Sequence, residues 1–104
     1  HKYLPMKNIN FSCEVVDDNE AMFRPALYQI KNYQPLNPAS KLVEDEVPTR
    51  VVSMIGYYRN VARQGEKIKV SGTLEQVKNI ETGETTYQVV VGTGTREDEY
   101  IWPL

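Results

Sequence analysis

Between Gly65 and Glu75 the chain alternates strictly, with Ile68, Val70, Gly72 and Leu74 on one parity and Lys67, Lys69, Ser71, Thr73 and Glu75 on the other. On a helix these residues would be scattered around the whole circumference. Only a strand with one covered face and one wet face sorts them into two rows. The same spacing of two recurs in Ile9, Phe11, Cys13 and Val15, in Ala26, Tyr28 and Ile30, and in Tyr87, Val89 and Val91. These are largely β-branched and aromatic residues, which pack well on a pleated surface. The chain is therefore expected to be mainly β.

The punctuation fits that reading. Asp17-Asp18-Asn19-Glu20 supplies short polar side chains suited to a turn after the first strand, and Pro25 places the start of the second strand at an edge. Gln34 to Pro48, with three prolines and the acidic triplet Glu44-Asp45-Glu46, is expected as a surface loop with one short helical turn over 38–42. From Arg50 to Arg59 apolar side chains occupy both parities, Val51, Ile55 and Tyr57 against Val52, Met54 and Tyr58, as in a strand covered on both faces. Gly72 interrupts an apolar row and predicts a bulge or sharp bend. Glu81-Thr82-Gly83-Glu84 predicts a hairpin, Gly92-Thr93-Gly94 a strand end, and Tyr100-Ile101-Trp102 a last short strand.

At 104 residues the chain is the size of one domain, 1–104, able to bury a core without disulfides or metals. Five or six strands, a bent strand and a hairpin are the parts of a small closed barrel of the oligonucleotide/oligosaccharide-binding (OB) type, with a small β-sandwich as the rival. The expected core includes Phe11, Val15, Ile30, Val52, Ile68, Val70, Leu74, Val89 and Val91.

Chemistry narrows the function classes. The one cysteine, Cys13, has no disulfide partner and, with a single histidine at position 1, no zinc set; it fits a reducing cytoplasm and reads as a buried apolar residue. No apolar run reaches the roughly 18 residues of a membrane span. Nucleophilic catalysis needs a base held beside the nucleophile, and the one imidazole, His1, sits on a terminus expected to fray. The clusters Asp17-Asp18-Glu20, Glu44-Asp45-Glu46 and Glu97-Asp98-Glu99 fall in turns and read as solvated, so no metal or cofactor is expected. Gly92-Thr93-Gly94 lacks a following helix to cradle a phosphate. What remains is aromatic and basic. Tyr57, Tyr58 and Arg59, with Arg63, Lys67 and Lys69, and with Phe23-Arg24 nearby, combine rings that stack bases with cations that track phosphates. A net charge of −2 opposes long-range attraction to a polyanion.

Four stretches, 18–28, 51–59, 62–75 and 89–92, resemble the C-terminal domain of archaeal predicted nucleotidyltransferases. They read DNEAMFRPALY, VVSMIGYYR, ARQGEKIKVSGTLE and VVVG. The resemblance implies an OB-like barrel that follows a catalytic domain of the DNA-polymerase-β type in a longer chain. Its implied partners are that preceding domain and single-stranded RNA or DNA. The superfamily's Gly-Ser pair and Asp-x-Asp pair are both missing, since Asp17 and Asp18 are adjacent. No catalytic residue carries over, and the barrel is expected to present or bind nucleic acid rather than to catalyse. The alternative is an interaction module that packs on a neighbouring domain or partner protein.

Overall fold

The computed structural model describes residues 1–21, 25–54, 62–92 and 99–104. Its strands are β1 (Lys2–Glu20), β2 (Ala26–Pro35), β3 (Arg50–Ser53), β4 (Lys67–Lys78), β5 (Thr85–Val91) and β6 (Tyr100–Pro103). Two single-turn 3-10 helices, Pro38–Ser40 and Glu44–Glu46, lie between β2 and β3. Among the described residues no helix is long and apolar enough to cross a membrane.

The strands run β1-β2-β3-β5-β4, and β4 pairs back onto β1, which closes a ring of five. The β3–β5 pairing is parallel and the others are antiparallel. This is a small OB-like barrel, mainly β as the alternation predicts. Its sixth strand, β6, pairs with the first half of β4, Ile68–Ser71, while β5 takes the second half, Thr73–Lys78. The hand-over falls at Gly72, where β5 comes so close that a Cβ would stand 2.7 Å from a Val89 methyl and 2.8 Å from the Val90 carbonyl oxygen.

Of the bulge or sharp bend expected at Gly72, the bulge is absent, because β4 pairs residue by residue from Lys67 to Lys78. The extra residue sits on the facing strand instead, at Met6, between Pro5↔Glu75 and Lys7↔Leu74. β1 is also longer than its alternation suggests. Lys2 to Asn8 pairs with β4, and the acidic run 17–20 stays in strand through Asp17↔Gln29 and Glu20↔Leu27, with irregular register. Ladder hydrogen bonds there override a local turn preference. The acidic triplet 44–46 forms a second 3-10 turn beyond the one expected near Pro38.

Eight of the nine expected core residues lie in the buried core cluster; the ninth, Val52, is buried but belongs to the outward parity of β3, because Val51 takes the inward one. Tyr28, Phe11, Ile9, Ile68 and Leu74 are the largest wholly enclosed side chains of the core. A flank is closed by Tyr33, which stacks on Phe11 with ring centroids 4.7 Å apart and donates its hydroxyl to the Ser40 carbonyl at 2.5 Å. Ser40 Oγ in turn accepts the Asn10 N–H at 2.8 Å, which fastens the 38–40 turn against β1. The β4–β5 hairpin is set by Asn79, whose Oδ1 accepts the N–H groups of Glu81 and Thr82, and by Gly83 at φ +76°.

Candidate ligand groove

Alternation assigns Tyr28, Val51, Val89 and Val91 to the barrel interior, so Leu27, Val52 and Val90 point outward. These three stand in one register row across β2, β3 and β5. An outward row is ordinarily wet, yet Val52 and Val90 are each only 8% exposed. They floor a concavity of about 570 Å³ whose rim includes Tyr3 and Met54, both more than half exposed, together with Arg50.

The neighbouring register row is polar: Gln29, Arg50, Gln88 and Glu75, on β2, β3, β5 and β4. Arg50 Nε donates to Gln88 Oε1 at 2.7 Å, and Gln88 Nε2 donates to Glu75 Oε1 at 2.6 Å. This chain fixes the plane of the guanidinium and leaves its terminal nitrogens without a partner among the described residues. Arg50 also borders two more hollows. One, about 310 Å³, is reached by Asn79 and Glu84 of the β4–β5 turn; the other, about 270 Å³, by Asp17 and Glu20 at the end of β1. A half-buried planar fork with its terminal donors open is suited to bidentate capture of a phosphate or carboxylate. The acids at the rim make this a place for individual anionic groups rather than a broad cationic surface.

Of the sequence-predicted residues, Arg63, Lys67 and Lys69 are among those described. Tyr57, Tyr58 and Arg59, like Phe23 and Arg24, lie outside the described residues. Arg63 is exposed just before β4. Lys67 and Lys69 do lie on the outward parity of β4, but in the half that pairs with β6. Six residues separate Lys69 from Glu75, about 20 Å along a strand. The structure therefore does not bring Lys67 and Lys69 into the groove. It sets Lys69 opposite Trp102 of β6. Sequence reasoning missed Arg50, Leu27, Val52, Val90 and Trp102 as surface groups. The signal was present in Val51-Val52 and Val89-Val90-Val91, whose two apolar parities mark strands covered on both sides.

Cys13 is buried, and loss of hydration pushes its thiol from 9.0 up to about 12, so the neutral thiol persists well above neutral pH. Among the described residues no three His, Cys, Asp or Glu side chains converge as a metal site would require. In comparisons with known proteins, no family model, no curated protein and no solved structure matches this chain.

Proposed function

We propose that the barrel is a non-catalytic binding module that holds single-stranded nucleic acid across the β2–β3–β5 groove, as an accessory to a nucleotidyltransferase domain of a longer cytoplasmic chain. The observation that carries the binding is the guanidinium of Arg50, fixed through Gln88 and Glu75 with its terminal donors open to the groove. A phosphate takes those donors, while sugar and base faces lie on Leu27, Val52 and Val90 with Tyr3 at the rim. Barrels of this kind bind oligonucleotides and oligosaccharides on the face of strands 2 and 3 and the adjoining loops, a fold-level analogy that supports the same face here. The transferase context rests on the sequence resemblance alone.

With a net charge of −2 the isolated barrel binds weakly, and a neighbouring domain supplies the missing long-range attraction. A second reading is favoured by the acids at the rim, Asp17, Glu20 and Glu84, beside an apolar floor: the groove packs against a neighbouring domain. Fluorescence anisotropy with a labelled oligonucleotide at low salt separates the two. Binding is expected, and Arg50→Met is expected to weaken it by about tenfold or more, the worth of a charged hydrogen bond. No binding at millimolar oligonucleotide, with capture of the separately expressed preceding domain instead, would favour the packing role. Incubation with labelled nucleoside triphosphates, Mg²⁺ and an RNA or DNA acceptor is expected to give no turnover above the blank.

A further inference from the structure

The outward face on the other side of the barrel carries a second register row, Gln34–Ser12–Lys69–Trp102, which crosses β2, β1, β4 and β6. With neighbouring strands about 4.8 Å apart, Trp102 lies about 10 Å from Ser12. Trp102 is 53% exposed, and its ring stacks on Tyr100 with centroids 4.1 Å apart and planes tilted by 16°. Residue 101 between them points into the core and is 1% exposed, so the two rings stand side by side on the outside. An exposed ring held by a second ring has already lost most of its rotamer freedom, which is what a stacking platform requires.

Lys69 stands opposite Trp102 in the ladder, and Lys67 two residues before it shares the same parity. Among the described residues neither Lys67 nor Lys69 has an ion pair or hydrogen bond through its ammonium group. Two acids share this surface: Glu14, the register partner of Lys67, pairs with Lys31 at 3.5 Å, and Glu66 keeps its charge while its Oε1 accepts the Arg63 N–H at 2.6 Å. Beside Lys67 a hollow of about 310 Å³ is lined by Glu14 and by Ser12, Asn32 and Gln34, the last three offering hydroxyl and amide groups to a sugar or base edge.

We infer that this β1–β4–β6 face is a second contact for a single-stranded nucleic acid: a base stacks on Trp102, and Lys67 and Lys69 take the flanking phosphates. The charge of the two free lysines selects a polyanion over a neutral sugar. The inference deepens the binding role proposed for the groove, and the two are separable, because Trp102 is the sole tryptophan of the chain and reports only on its own face.

The test titrates the whole barrel with an oligothymidylate of about 12 nucleotides at low salt and follows tryptophan emission together with anisotropy. The expected result is quenching that saturates with binding. In Lys67→Ala/Lys69→Ala the affinity read from quenching falls, and the slope of log K against log salt drops by about 1.4, two single-strand phosphates at about 0.7 each. A thermal melt matching the wild type shows that the double variant is folded. Arg50→Met leaves the quenching in place. If that variant also leaves the total affinity unchanged, the groove reading fails while the platform stands. Absence of quenching at millimolar oligonucleotide overturns the inference, as does quenching unaltered in the double variant. Salt-independent quenching by a neutral oligosaccharide, with none by the oligonucleotide, overturns it as well.

Discussion

Gly72 and Gly83 are both required to be glycine, for different physical reasons. At Gly72 the constraint is space, since an added methyl would press on the Val89 side chain and the Val90 carbonyl oxygen of β5. Gly72→Ala is expected to destabilise by about 1–3 kcal/mol in urea unfolding, the usual cost of overpacking. At Gly83 nothing lies within 4 Å, and the constraint is φ +76° in the hairpin turn; Gly83→Ala is expected to cost about 1 kcal/mol. Both glycines stand out in the sequence, but their reasons do not. The break in an apolar row at Gly72 reads equally as a bulge, and only the approach of β5 decides between them. The buried Cys13 and the half-buried Tyr33 bear on stability at alkaline pH. Cys13 and Tyr33 are each raised to about 12, from 9.0 and 10.0, by loss of hydration. The folded state holds these protons more tightly than the unfolded chain, so their contribution is intact below about pH 9 and is lost as pH rises toward 12. Melting temperatures measured across that window are expected to fall, and Cys13→Ala to remove the thiol's share of the fall.

At the scale of the element, β1 explains most of what the sequence leaves hidden. Its middle, Ile9 to Val15, is legible because one row is buried and the other is not. Its ends are strand only because β4 and β2 offer backbone partners, and a run such as Asp17-Asp18-Asn19-Glu20 carries no sign of that. β3 and β5 show the opposite case. Their apolar residues on both parities were legible as coverage of both faces, but the second cover is a groove on the outside rather than a second layer of core. Phe11–Glu14 lies between β2 and β4, with ladder partners on both sides. Amide exchange is therefore expected to be slowest there and at Ile68–Ser71, which β1 and β6 flank, and faster at Lys2–Leu4, which has β4 alone.

For the whole molecule, the mainly β class follows from period and length, whereas closure into a barrel rather than a sandwich, and the site, do not. Arg50, Gln88 and Glu75 are far apart in sequence and meet only because a parallel β3–β5 pairing inserts β5 between β3 and β4. Strand order is set by long-range pairing, so no local pattern announces this polar row or the one that ends on Trp102. The predicted lysines lie on an outward face, and among the described residues an aromatic neighbour is Trp102 of β6, thirty-odd residues further on. The central claim, that the outer face of β2, β3 and β5 holds a single strand, has an internal control in its own alternation. Methyl chemical shifts followed during titration with a short oligonucleotide at low salt test it most directly. The expected result is large, saturable shifts at Leu27, Val52 and Val90, with Val51, Val89 and Val91 of the same strands nearly still, and loss of those shifts in Arg50→Met. Methyl groups of the outer row that stay fixed at millimolar oligonucleotide, or that move no more than the inner row, would contradict it.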